Sequence, residues 1–175
     1  MAVCAALASG LAASACGGSP RLFDSTRIET GVLLGIPTGS LDGPYGPSPA
    51  YRFGMSTTYS DGIHAVGSIQ YAPLEGEVAA HYLVAACGLE ALWPGGFATA
   101  ALLSLHYARA LEEHRPPLQL DGGESEFGID LRASWMPRRW RKPGIALRST
   151  ASFAFTEPER SLWIWSGIDL TWEWP

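Results

Sequence analysis

The sequence predicts an all-β protein, an eight-stranded antiparallel up-and-down transmembrane β-barrel. Three observations lead to this fold class. Apolar and polar residues alternate with a period of two in several segments, turn signals recur at intervals that suit hairpins, and only 17% of the residues are charged. Period-two alternation is typical of strands with one apolar face. The scarcity of charge leaves little to cover a soluble surface, so we expect the apolar face to point outward into lipid.

Seven turn-rich stretches divide the chain into eight segments. The segments between successive turn-rich stretches are too short for ordinary helices. None of them reaches the roughly 18 consecutive apolar residues of a transmembrane helix. The stretches are 40–49, 60–62, 73–77, 94–96, 112–125, 137–144 and 156–160. With both termini in the periplasm, the first, third, fifth and seventh connections are predicted to be extracellular and the other three periplasmic.

Alternation is clearest in four segments, 51–60, 126–136, 145–155 and 162–174. In the second of these, Phe127, Leu131 and Trp135 fall on one face, with Asp130 and Arg132 on the other. Two further segments, 27–39 and 63–72, alternate with one exception each, Leu33 and Val66. All six are predicted strands.

The region from Val78 to Ala110 is rich in alanine and leucine, the best helix formers. A helical hairpin around Pro94, Gly95 and Gly96 is therefore an alternative. Two strands are favoured because the flanking segments need an even number of partners to close a barrel.

Aromatic residues at both ends of the apolar faces predict two interfacial girdles. Strands of about ten residues, at roughly 3.4 Å per residue and a tilt near 40°, cover about 25 Å of apolar height. The predicted girdle residues are Tyr51, Tyr59, Tyr107, Phe127, Trp135, Trp172 and Trp174.

The polar faces are predicted to line a lumen that side chains fill. Charges enclosed there need partners, so we expect a network of ion pairs. The predicted network is Glu29, Arg52, Glu90, Glu126, Asp130, Arg132, Arg148 and Asp169. A catalytic alternative is that Ser104 is a nucleophile with His106 as its base and Glu90 as the orienting acid, but neighbours at i and i+2 on a strand are common by chance.

The first twenty residues are alanine-rich and apolar, and Ala13-Ser14-Ala15 has the form of a secretory cleavage site. We expect a signal peptide at 1–15, an N-terminal linker at 16–26 and the barrel at 27–175. Cys16 directly follows the site and is a possible lipidation position. No spacing of ligands predicts a metal, and no cofactor is expected.

The chain resembles the small eight-stranded outer-membrane β-barrel family, the OmpA-like and OmpX-like group. The resemblance covers about 150 of the 175 residues and includes the ending "GIDLTWEW", similar to the family's C-terminal assembly signal. Pro175 after Trp174 departs from that signal. The resemblance implies a location in the bacterial outer membrane, with outer-membrane lipid and the barrel assembly machinery as partners.

The expected function is a structural or surface-interaction role without enzyme activity and with a plugged lumen. The extracellular ligand is unknown. A net charge of -5 and a pI near 5.3 offer no basic field for nucleic acid. The alternatives are a secreted, lipocalin-like barrel that binds an apolar ligand and, less favoured, a lipid-modifying barrel enzyme.

Overall fold

A computed structural model of the protein describes residues 25–38, 45–60, 62–75, 79–110, 124–137, 143–154 and 161–174. Each strand in this part of the chain is hydrogen bonded to its neighbours in sequence, and the first strand also pairs with the last, so the sheet closes into an antiparallel barrel. The strands are β1 (Thr26–Thr38), β2 (Ser48–Ser60), β3 (Ile63–Leu74), β4 (Ala80–Leu92), β5 (Phe97–Ala110), β6 (Glu124–Trp135), β7 (Gly144–Ala154) and β8 (Ser161–Trp174). The predicted fold class is confirmed.

The alanine- and leucine-rich region forms strands β4 and β5, which pair along their whole length. The helical hairpin is wrong for this region. Leu83 and Leu103 are exposed on the outside, while Val84 and Leu102 are buried inside. Pairing on both edges and separation of the two faces outweigh the intrinsic helix propensity of alanine and leucine.

Short connections lie at one end of the barrel. Gly62, between β2 and β3, has a φ of 75°, a left-handed conformation that glycine adopts without strain. A single 3-10 turn at Pro94–Gly96 joins β4 to β5. No helix among the described residues is both long and apolar enough to cross a membrane. We assign this end to the periplasm, where bacterial barrels keep their connections short.

The outer surface of the barrel is apolar. Large hydrophobic side chains point away from the lumen on every strand, and Phe127 and Leu103 are 76% and 68% exposed. Most arginine, glutamate and aspartate side chains of the same strands are buried inside. A soluble barrel requires the opposite arrangement, so the outer surface matches a bilayer.

Two apolar residues that broke the alternation face the interior. Leu33 is 2% exposed and Val66 4% exposed, and both pack in buried apolar clusters. Thr57 has the outward parity of Tyr51 but is also buried, and its hydroxyl lies 3.4 Å from the carbonyl oxygen of Ser25. It is still paired in register with Thr26 and Ala65, and the register shifts only beyond it, between Thr58 and Ser60.

Candidate functional site

The periplasmic half of the lumen contains a connected set of buried ion pairs centred on Glu29 of β1. One carboxylate oxygen of Glu29 lies 2.8 Å from Nε of Arg27. The other lies 2.8 Å from Nη2 of Arg52 and 2.9 Å from Nη2 of Arg148. Glu29 is fully buried, so three guanidinium groups share a carboxylate that bulk water does not reach.

Two further carboxylates extend this set across the lumen. Asp169 Oδ2 contacts Nη1 of Arg52 at 2.9 Å and Nε of Arg148 at 2.5 Å. Glu90 pairs with Arg27 through Oε1 and with Arg132 through Oε2 at 3.1 Å. We call this set the ionic layer, and it joins six of the eight strands. Its members are Arg27, Glu29, Arg52, Glu90, Arg132, Arg148 and Asp169.

The extracellular half of the lumen is filled by rings. Trp163 and Trp165 stack with centroids 4.9 Å apart and planes 14° apart. Tyr82 stacks on both indoles at about 6 Å, and Tyr45 lies 6.2 Å from Trp163. We call these four residues the aromatic layer. They belong to a buried apolar cluster that also contains Leu33, Ala50, Ala72, Leu74, Ala80 and Val84.

A short hydrogen-bonded chain lies between the two layers. The Tyr82 hydroxyl is 2.5 Å from Nδ1 of His106, and Nε2 of His106 is 2.7 Å from Oγ of Ser104. Asp130 lies 3.8 Å from the same ring nitrogen of His106. The chain gives the buried imidazole a partner on each side, which a buried polar group requires.

The catalytic alternative predicted only part of this geometry. Ser104 and His106 are hydrogen bonded, but Glu90 does not orient the imidazole. Its oxygens bind Arg27 and Arg132, and Tyr82 occupies the position that a triad would give to the acid. Strand alternation places residues on a face, but it does not say which of them meet across the lumen.

The eight predicted lumen residues separate into two groups. Six of them are members of the ionic layer. Asp130 lies with His106, and the half-buried Glu126 is paired in register with His106. In the described part of the chain, no ion pair joins Asp130 to an arginine.

Sequence reasoning missed several residues of the interior, among them Arg27, Trp163 and Trp165. Arg27 occupies an inward position two residues before Glu29, and Trp163 and Trp165 share the parity of Asp169 on β8. The alternation of the strands was therefore the signal that these three side chains point inward. The charge of Arg27 and the size of the two indoles concealed it, because such groups are expected at an interface.

The outer surface carries aromatic side chains near both ends. Tyr51 and Phe127 are exposed toward the extracellular end and Trp135 and Trp172 toward the periplasmic end, while Tyr107 is half-buried. Phe97 and Trp135 stack at 6.1 Å on neighbouring strands. The predicted girdle positions Tyr59 and Trp174 lie in strands, and their side chains are outside the described set.

Several predicted features lie outside the described residues. They include the signal peptide at 1–15, Cys16 and its linker, and nearly all of the connection at 112–125. The first connection runs over 39–47 and not over the predicted 40–49, because β1 ends at Thr38 and β2 begins at Ser48. Tyr45 within it packs against Trp163. No cluster of three metal-ligating side chains occurs among the residues described.

Comparison with known proteins supports the architecture. No protein-family model matches the chain, and no curated protein matches it. The crystal structure of Neisserial surface protein A is similar, with a TM-score of 0.67 and 6% identity over 83% of this chain and 95% of that one. The fold is that of the small outer-membrane β-barrels.

Two further solved structures have the same architecture. Ail, the attachment invasion locus protein of Yersinia pestis, matches with a TM-score of 0.51 and 8% identity over 85% of this chain and 98% of that one. The N-terminal β-barrel domain of Pseudomonas aeruginosa OprF gives 0.52 and 10% over 86% and 98%. The resemblance predicted from the sequence is confirmed at the level of the fold. Together with the apolar outer surface, it supports the predicted location in the bacterial outer membrane.

Proposed function

We propose that the protein is an integral outer-membrane barrel with a closed lumen, which acts through its extracellular connections or through the stability that it lends the membrane. One observation carries the closed lumen: the ionic layer links β1, β2, β4, β6, β7 and β8 by direct ion pairs. An eight-stranded barrel has space for little more than its own side chains. Cross-links between facing walls leave no continuous path for solutes.

The aromatic layer supports the same proposal from the extracellular side. Trp163 is 2% exposed and Trp165 is fully buried, although both lie near the extracellular end of β8. A water-filled pore of porin type would expose such rings to solvent. The lumen is therefore closed twice, once by apolar rings and once by charge.

The two alternative functions fit these observations less well. A lipocalin-like binder needs an apolar interior and a polar exterior, whereas the largest exposed side chains here are apolar. A lipid-modifying enzyme needs its nucleophile where a lipid can reach it. Ser104 and His106 are each 3% exposed and point into the lumen, so a lipid ester has no access to them.

Assembly in the outer membrane requires recognition by the barrel assembly machinery, and β8 is the proposed recognition element. It alternates to the end of the strand, with Ile168, Leu170 and Trp172 on the outer face. We further propose that residues 1–15 direct export and are removed.

Deleting residues 112–123 separates the two proposed roles. The segment lies between β5 and β6 at the extracellular end, and it contains none of the ionic or aromatic layer. We expect the shortened barrel to fold, fractionate with the outer membrane and keep the heat-modifiable electrophoretic mobility of folded barrels. Resistance of the cells to detergent is compared between full-length, shortened and absent protein.

Each outcome of this comparison has a distinct meaning. Full resistance with the shortened barrel supports a structural role, and loss of resistance equal to that of the null strain supports a role for the connection. The proposal is overturned if the full-length protein fractionates with soluble proteins, or if it admits sugars into vesicles.

A further inference from the structure

The outer surface of the strands has one basic patch. Among the outward-facing strand side chains that the structure describes, only His81 and Arg109 carry a basic group, and none carries a carboxylate. The two residues are directly opposite each other in the β4–β5 register, and both are exposed. Basic groups on the lipid side of a barrel are costly near the bilayer centre, so their position and their pairing call for a physical reason.

The patch includes a tyrosine that orients the histidine. The Tyr71 hydroxyl on β3 lies 2.7 Å from Nδ1 of His81, and the two rings are 5.8 Å apart. With the hydroxyl donating to Nδ1, a neutral imidazole carries its proton on Nε2 and donates from there. Neither His81 nor Arg109 forms an ion pair with any described residue, including Glu75 just beyond the end of β3. The patch therefore offers an Nε2–H donor and a guanidinium that forms no ion pair with a carboxylate of the described residues.

The height of the patch matches the polar edge of a bilayer. Strands of 13 residues, at roughly 3.4 Å per residue and a tilt near 40°, rise about 34 Å, against about 25 Å of apolar band. The excess is about 4 to 5 Å at each end, which is close to two residues. His81 is the second residue of β4 and Arg109 the last but one of β5, so both lie at the extracellular boundary of the band.

We propose that Tyr71, His81 and Arg109 form a binding site for the phosphate group of an anionic lipid in the outer leaflet. The inference rests on the proposed location in the outer membrane. Arginine binds phosphate oxygens through two parallel N–H donors, and the Nε2–H of His81 supplies a third. The acyl chains of the same lipid lie against the apolar side chains below the patch, among which Leu83 and Leu103 are exposed.

The test is lipid binding by the purified full-length protein in detergent, measured by native mass spectrometry. The probes are a phosphatidic acid and the diacylglycerol with the same acyl chains, which differ only in the phosphate. We expect the phosphatidic acid to bind preferentially and Arg109→Gln to weaken its binding about tenfold, as for loss of a charge-assisted hydrogen bond. Arg109→Lys keeps the charge and retains part of the affinity.

Ser125→Gln is the matched control, because Ser125 is exposed on β6 opposite Tyr107, at nearly the same height. This variant should bind phosphatidic acid as the unmodified protein does. Equal binding of both lipids, or equal losses in Arg109→Gln and Ser125→Gln, overturns the proposal. So does displacement of the lipid by millimolar inorganic phosphate, since the site would then take a free anion. A dimer that Arg109→Gln abolishes would assign the patch to a second copy of the chain instead.

The failure of this inference is distinguishable from failure of the proposed function. Arg109→Gln and the unmodified protein should both fractionate with the outer membrane and remain folded. If both do so while phosphate selectivity is absent, the patch is not a lipid site and the barrel proposal stands.

Discussion

The two halves of the lumen are filled by different kinds of side chain. In the periplasmic half, four guanidinium groups and three carboxylates form one set of ion pairs, most of them at 2.8 to 3.1 Å. In the extracellular half, Tyr45, Tyr82, Trp163 and Trp165 fill the space by stacking. Charge pairing depends on every partner, whereas stacking depends on volume. The ionic layer should therefore fail abruptly when one partner is removed, and the aromatic layer gradually as volume is lost.

The largest expected effect is that of Glu29→Gln. Arg27, Arg52 and Arg148 all share this carboxylate, and removing one partner of a buried ion pair typically costs about 3 to 5 kcal/mol. Urea unfolding in lipid vesicles should report a loss of that size. Glu75→Gln, an exposed change beyond β3, should stay within about 0.5 kcal/mol. A loss near zero for Glu29→Gln would mean that the ionic layer does not hold the walls together.

Trp165→Ala tests the aromatic layer by volume. It removes a fully buried indole that stacks on Trp163 and Tyr82, and such truncations typically cost about 3 to 5 kcal/mol. We expect the lower end of this range, because the new cavity lies near the extracellular mouth. The matched control is Trp93→Ala, which removes an exposed indole at the periplasmic rim. Equal losses for the two variants would contradict a packed aromatic layer.

Leu131→Arg tests whether the outer wall meets lipid. The interior accommodates four arginines, but an arginine on the outer wall has no such partners. Leu131 is 50% exposed toward lipid near the middle of β6, and arginine at the bilayer midplane costs about 2 to 4 kcal/mol. Ser125→Arg, on the same face of β6 near its extracellular end, should cost at most about 1 kcal/mol. Equal yields of folded protein from the two variants would mean that this face does not meet lipid.

Tyr82→Phe has the smallest expected effect and probes the connection between the layers. The ring stays in the stack, but Nδ1 of His106 loses the hydroxyl partner at 2.5 Å. Leaving one buried polar atom without a partner costs about 1 to 3 kcal/mol. Tyr45→Phe is the control, because no hydrogen bond of the Tyr45 hydroxyl occurs among the described residues. Both variants are compared by thermal denaturation, and identical midpoints would contradict a role for the Tyr82–His106 bond.

The architecture was predictable because alternation is a local property of each strand. Phe127 and Asp130 take opposite faces of β6 for reasons contained in a few neighbouring residues. The lumen contacts were not predictable in the same way. Glu29 meets Arg148 across 119 positions of sequence, and that meeting depends on how far each strand is shifted against the next around the whole barrel.

The same reasoning explains the residues that sequence analysis missed. Trp163 and Trp165 have the inward parity of Asp169, but tryptophan in a barrel is expected at the membrane interface. Their burial depends on the stack with Tyr82 from β4, which no local pattern contains. Leu33 belongs to the same cluster for the same reason.

The most direct test of the closed lumen is the conductance of the purified protein in planar lipid bilayers. If the ionic and aromatic layers close the lumen as proposed, the barrel should insert and show no stable, porin-sized current steps. The double variant Trp163→Ala with Trp165→Ala should leave the ionic layer in place and remain closed as well. Reproducible, porin-sized current steps from the unmodified protein, in preparations in which it is monomeric, would contradict a closed lumen.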